Sequence, residues 1–375
     1  MKIRVGRALG LAAVSALLLA AGAGVGAGSA IAQPASGSPP PPAGFEVDSA
    51  SFVSATTGYA LGARGCSLLP CKALLEKTGN GGKTWAKVPA PAVSLVPVFT
   101  QTPKTAVSGV VFENASDGWL YGPGLWTTTD GGAKWQKVSL PGDVVALASA
   151  DGKVFASVMQ PKGGLLAARL YESSVGSGKW SAVAKVAPVS ALTVSGHSVW
   201  AGWAPSLWTS TNSGKTWTKL SFKCPAAYPT ASAVAAASPS SVAVACSNQG
   251  DPQPGLSYKE VFTSGNGGKS FHAASGKPPI AGQVVQLAMP TGKPHIITMT
   301  ATSGASYFYQ SVNSGKSWTT KTYYDGGLDF RDLAYVSGTT GYVVHFSGAI
   351  PDLAYGLGLL KTVNDGKTWT KVTIK

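Results

Sequence analysis

Three groups of residues in this chain have the types and spacing of chemistry. Gly-Lys-Ser/Thr recurs at Gly82, Gly214, Gly268, Gly315 and Gly366, which resembles the end of a phosphate-cradling loop. Such a loop also needs a glycine five residues earlier. Lys77, Thr209, Thr263 and Lys361 stand at that offset instead, so nucleotide binding drops out. Asp251, Asp325, Asp329 and Asp352 could supply a carboxylate pair across a groove, the requirement for cleaving a glycosidic bond. The plainer reading is that they are turn residues in Gly- and Pro-rich loops. Cys66, Cys71, Cys224 and Cys246 form a C-x4-C and a distant second pair, and the four histidines are scattered. Neither pattern matches zinc-site spacing. No metal and no cofactor is implied.

What must position these residues is a repeat. An octet of the form S/T-x-D/N-x-G-x-S/T-W occupies residues 78–85, 128–135, 210–217, 264–271, 311–318 and 362–369, with Phe271 closing the fourth of these, and a degenerate copy ends at Trp180. The closing aromatics fall 50, 45, 37, 54, 47 and 51 residues apart. A repeat of that length suits one four-stranded sheet. Repeat two shows the plan, with strands expected over 110–114, 118–121, 124–128 and 135–140. The octet turns the chain between the third and fourth strands: the Asn or Asp side chain can bond backbone amides and the glycine can take positive φ. The expected fold is all-β, a seven-bladed β-propeller with one four-stranded antiparallel sheet per blade over residues 45–375. Closure rests on packing of blade one against blade seven.

These octets resemble the Asp-box (BNR) repeats of sialidases, sortilin-type receptors, xyloglucan-active endoglucanases and photosystem II stability/assembly factor-like proteins. A second pattern, an aromatic followed six residues on by Gly-Tyr or Gly-Trp, pairs Phe52 with Gly58-Tyr59, Phe112 with Gly118-Trp119 and Tyr335 with Gly341-Tyr342. It is most similar to the assembly-factor-like branch, which implies protein binding rather than chemistry. A sialidase-like site would need three arginines around a carboxylate and a tyrosine nucleophile with a glutamate partner. Arg64, Arg169 and Arg331 lie at unlike points of their repeats, the early F/Y-R-I-P motif is missing, and strand alternation explains Tyr258-x-Glu260 equally well.

Lys2, Arg4 and Arg7 precede an apolar run from Ala8 to about Ala21, and small residues lead to Ala30-Ile31-Ala32. Residues 1–32 therefore read as a signal peptide, and 33–44, with Pro39 to Pro42 in a row, as an extended linker. The rest carries 27 lysines and arginines against 16 acids, a net +11. A secreted or extracytoplasmic basic chain meets envelope polymers, acidic glycans or lipid surfaces before nucleic acid. Four cysteines in that compartment predict two disulfides, most locally Cys66 with Cys71 and Cys224 with Cys246.

The expected role is a non-enzymatic, monomeric interaction module for a protein or a cell-envelope glycan, the alternative being a glycoside hydrolase, sialidase-like or carboxylate-pair, acting on extracellular glycans. The long loops cluster on the face opposite the octets, at 63–71, 247–258, 323–330 and 347–356. They gather Arg64, Asp251, Tyr258, Tyr323, Tyr324, Asp325, Asp329, Arg331, Asp352 and Tyr355 as ligand-binding candidates, aromatic faces beside charges that suit a sugar or a peptide. Lys83, Lys134, Lys179, Lys215, Lys269, Lys316 and Lys367 sit in or beside the octet turns, and Lys87, Lys137, Lys219 and Lys371 follow on the fourth strands. They form a rim that could touch anionic polymers, or that simply keeps edge strands soluble. The leader reading predicts that N-terminal sequencing of the exported protein finds Gln33 first. A chain that keeps residues 1–32 would overturn it.

Overall fold

The computed structural model describes residues 44–65, 71–95, 103–162, 165–183, 186, 191–203, 206–249, 255–303, 305–325, 330–347 and 356–375. Each repeat forms one four-stranded antiparallel sheet, at 45–88, 109–138, 143–182, 191–219, 230–273, 284–325 and 330–372. Strands follow sequence order from the centre outward, and the first strands of successive blades touch around the ring. The seventh sheet meets the first, with the Phe45 amide donating to the Ile374 carbonyl at 3.4 Å. The expected seven-bladed propeller is thus the observed one, closed by packing and not by strand exchange.

The octets lie between third and fourth strands, as their residue types require. In blade one the Thr78 hydroxyl accepts the Gly82 amide at 2.9 Å and Asn80 Oδ1 accepts the Thr84 amide at 2.9 Å. The fifth octet residue is glycine because its φ is positive, 89° at Gly82 and 94° at Gly132, where an L side chain is strained. The turn also clasps its own blade: the Gly81 amide donates to Thr56 and the Gly131 amide to Ser116 at 2.7 and 2.8 Å. Octets and first-to-second-strand turns therefore share one face of the ring. The loops between second and third strands and between blades share the other.

Apolar side chains gather not within blades but between them. Among the described residues there are seven core clusters, and each draws its members from two neighbouring blades. The aromatic–Gly-Tyr pattern is one such seam. Tyr59 of blade one stacks on Phe112 of blade two with centroids 3.5 Å apart, and Tyr342 of blade seven stacks on Phe52 of blade one at 3.4 Å. The octet tryptophans Trp85 and Trp135 then meet Phe52 and Phe112 edge-on.

Cys224, after blade four, is bonded to Cys246 on the second strand of blade five. Cys71 is likewise disulfide-bonded, and Cys66 lies outside the described residues. Because Phe112 is buried in a seam rather than within one sheet, Phe112→Ala should cost about 3–5 kcal/mol. Urea denaturation should show a lower midpoint for the whole ring. Loss confined to blade two, or no loss, would contradict the seam.

Candidate binding site

The face opposite the octets begins where the first strands begin. In blade one an extra residue, Asp48, bulges out between Val47 and Ser49, and in blade seven the register shifts between Arg331 and Ala334. Bulges re-aim side chains, and here they bring two distant parts of the chain together. Arg331 Nη1 bonds Asp48 Oδ1 at 3.0 Å. Asp332, held at φ 52°, accepts the Ser49 hydroxyl at 2.6 Å and the Ala50 amide at 2.9 Å. Ser49 in turn accepts the Val110 amide of blade two at 3.0 Å. Blades seven, one and two are thus laced together by polar bonds at the inner end of their seams.

Tyr121 joins this cluster from the second strand of blade two. Its ring lies over Gly109, where a Cβ would come within 2.3 Å of Tyr121 Cζ, so only glycine allows the phenol to lie across the inner strand. Burial raises the Tyr121 phenol, Asp332 and Asp48 raise it further, and Arg331 opposes them. Glu46, two residues before Asp48, is buried, and its Oε1 has no hydrogen-bond partner. Burial pushes its carboxyl up to about 7.

A second feature of this face lies at the seam of blades five and six. Lys259 is buried, and its Nζ donates to the carbonyls of Ser257, Ile280, Ala281 and Gly282 at 2.8–3.2 Å. Burial pushes this ammonium down to about 7, while four carbonyl dipoles aimed at it favour its charge. Lys259 thereby ties the blade-connecting segment to blade five. Beside it, Tyr258 and Ile280 are each 40% exposed, two of the few large apolar side chains exposed among the described residues.

Of the residues expected from sequence, Arg331 enters the central cluster as the partner of Asp48, and Tyr258 stands exposed on the third strand of blade five. Arg64 ends the second strand of blade one, where it bonds Glu76 Oε1 at 2.9 Å and the Lys375 carbonyl at 2.7 Å and lies over the Phe45 ring. It braces the seam between blades seven and one. Tyr323, Tyr324 and Asp325 end the outer strand of blade six, across from Tyr307, Ser306 and Ala305. That places them at the circumference, whereas Arg331 lies on an inner strand. Asp251, Asp329, Asp352 and Tyr355 lie outside the described residues. Sequence reasoning missed Asp48, Asp332, Tyr121, Lys259 and Ile280. The one signal available was the lysine between Tyr258 and Glu260, whose alternation in a strand turns it inward. Among the described residues no group of three or more His, Cys, Asp and Glu could hold a metal ion.

The fold and this arrangement define the class, a seven-bladed all-β propeller with a polar centre and a loop-bearing face. No protein-family model and no curated protein matches the chain. Solved structures do. "YCF48 bound to D1 peptide" is similar with a TM-score of 0.54 at 17% identity, covering 87% of this chain and 95% of that one. A polysaccharide lyase, the PL25 ulvan lyase, reaches 0.55 at 10% identity over 89% and 96%. An ancestral GH74 enzyme reaches 0.50 at 13%, but the match spans only 47% of that enzyme. At these identities the likeness is one of fold.

The buried Glu46 carboxyl yields a pH prediction. Its folded pKa is raised from 4.5 to about 7, so the native state binds its proton more tightly than the unfolded chain. Its contribution is fully present below pH 4.5 and is lost as pH rises through 7. Glu46→Gln should therefore match the parent near pH 4.5 and exceed it above pH 7, by of order 2 kcal/mol. Denaturation midpoints at pH 4.5 and 8 that differ from the parent equally would rule this out.

Proposed function

We propose that this chain is an extracytoplasmic, non-enzymatic interaction module, monomeric, that takes an extended segment of a partner protein or a glycan of the cell envelope on its loop-bearing face. The observation that carries the reading is the exposure of Tyr258 and Ile280, two large apolar side chains, at the loop-bearing end of the seam between blades five and six. Both stand on backbone fixed by hydrogen bonds, the Ser257 amide and the Lys259 ammonium donating to the Ile280 carbonyl, and rigidly held apolar side chains provide contact area at a reduced ordering cost. The central charges support it as well. Asp48 and Asp332 are tied to Arg331, Ser49 and the Ala50 amide, which suits fixed recognition better than proton transfer. That a similar propeller is described with a bound peptide agrees with this choice. Export rests on the leader pattern of residues 1–32, and the Cys224–Cys246 bond fits an oxidising compartment.

The second reading, cleavage of an extracellular glycan through carboxylates among Asp251, Asp325, Asp329 and Asp352, draws on the near full-length match to a polysaccharide lyase. One set of measurements separates the two. Crosslinking in the native envelope followed by titration of the captured partner should give saturable binding that Tyr258→Ala with Ile280→Ser weakens roughly ten-fold or more, with the melting temperature unchanged. Turnover of any polysaccharide or aryl glycoside that disappears in Asp325→Asn or Asp352→Asn would overturn the non-enzymatic reading.

A further inference from the structure

The octet face carries an excess of charge that the turn itself does not need. The third octet residue must accept a backbone amide through its side-chain oxygen, and Asp and Asn do this equally. Asp130 accepts the Lys134 amide at 2.9 Å, and Asn212 accepts the Thr216 amide at 2.9 Å. Yet five of the six complete octets use the neutral residue: Asn80, Asn212, Asn266, Asn313 and Asn364. Each sits within three residues of an octet lysine that an aspartate would have offset. Lys83, Lys134, Lys179, Lys215, Lys269, Lys316 and Lys367 are all exposed, and Lys87, Lys137, Lys219 and Lys371 are exposed on the fourth strands beside them. The described carboxylates near these turns, Glu113, Asp117, Asp130, Asp151 and Asp365, are fewer than the lysines. Asp151 bonds Ser213 and His197, Asp365 pairs with Lys293, Asp117 accepts Asn114, and Glu113 accepts the Gly152 amide.

Within this basic rim stand two more of the exposed large apolar side chains, Val312 at 55% and Val363 at 64%. Both occupy the second octet position, on neighbouring blades six and seven, where the other complete octets have Gly79, Thr129, Thr211 and Gly265. The octets all lie on one face of a closed ring, so lysines and valines are presented together to a flat surface. A linear polyanion would meet only a stripe of that rim and would gain nothing from the valines. An anionic bilayer would meet the rim broadly, with headgroups at the ammonium groups and the valines at the acyl boundary.

We propose that the octet face is a docking surface for an anionic phospholipid bilayer, bound by the lysine rim and fixed by shallow insertion of Val312 and Val363. This does not depend on the partner reading of the opposite face, which it would leave free to point away from the membrane.

The test is sedimentation of the chain from Gln33 onward, which contains the whole closed ring, with phosphatidylglycerol/phosphatidylcholine vesicles and with phosphatidylcholine alone. Binding is expected only to the anionic vesicles and should weaken as salt rises. Replacing Lys83, Lys215, Lys316 and Lys367 by Gln should lower affinity by roughly five-fold per lysine that meets the surface. Val312→Ser with Val363→Ser should lower it further at high salt, where the charge contribution is screened. A polarity-sensitive dye on V363C should shift to the blue with anionic vesicles and not with soluble polyphosphate. All these positions are exposed, and an unchanged melting temperature in each variant confirms that the ring is intact. Sedimentation that is absent, that survives the lysine replacements, or that polyphosphate reproduces together with the dye shift would overturn the proposal.

Discussion

A four-stranded sheet with apolar side chains on both faces cannot fold alone, because each face must be covered. Among the described residues the next blade provides that cover. That one constraint accounts for the seven seam clusters, for the ring, and for the way blade seven closes onto blade one through Phe45, Val47, Tyr342, Leu359 and Ile374. Five of the seven seams are locked on the octet side by a bond from a side chain to backbone, and the side chain differs from seam to seam. Lys361 donates to the Gly81 carbonyl, Tyr59 to Ala115, Trp200 to Gly267 and Gln310 to Asp365, while Glu113 accepts the Gly152 amide. The turns of this face offer backbone groups at two kinds of place, the octet carbonyls of Gly81, Gly267 and Asp365 and the Ala115 carbonyl and Gly152 amide between first and second strands. Side chains of quite different chemistry can then use them. The repeats diverge freely at the seams because what they grip is backbone.

The same constraint explains where a site can arise. A seam buried along most of its length opens at the inner strands, and there Asp48, Arg331, Asp332 and Ser49 replace apolar packing by hydrogen bonds. Buried polar groups are tolerated when each is satisfied, and the two bulges achieve this by turning a carboxylate of blade one toward a guanidinium of blade seven. Beside this cluster, Glu46 is an exception. Its unpartnered oxygen amid apolar neighbours is a local cost, compensated by keeping the proton near neutral pH. Lys259 solves the opposite problem with four carbonyls instead of a carboxylate, an arrangement that favours its charge against the cost of burial and locks it to the backbone of Ser257 and residues 280–282.

Much of this was legible in the sequence because the octet encodes its own geometry. Ser or Thr, then Asn or Asp, then Gly at fixed offsets specify one turn, and their spacing specifies one sheet per turn. The pattern joining Phe52 to Gly58-Tyr59 was legible as a recurrence, but not as a contact. Each tyrosine stacks on the aromatic of the following blade, and a pattern read within one repeat does not show a bond to the next. Asp48 and Asp332 were illegible for a related reason. A bulge depends on the register of a partner strand, and the Arg331–Asp48 pair joins residues 283 apart in sequence. Arg64 read as a loop residue free to meet a ligand, yet Glu76 and the Lys375 carbonyl hold it. Lysines such as Lys259 are taken as exposed on composition alone, and only strand alternation argued otherwise.

The two faces of the ring therefore stand under different constraints. On the octet face every turn is short and clasps the first-to-second-strand turn of its own blade, so an insertion there would break backbone bonds such as Gly81 to Thr56 and Ser314 to His295. Variation on that side is confined to side chains that leave the turn intact, which is why Asn can replace Asp and Val can replace Gly or Thr without disturbing the ring. On the opposite face the connections differ widely in length, with three residues between Tyr121 and Leu125 and twenty between Val88 and Gly109. Loops can lengthen there at small entropic cost because the seams beneath them already hold the strands. A ring built in this way can change what it recognises on one side and what it rests against on the other, and neither change alters the packing that closes it.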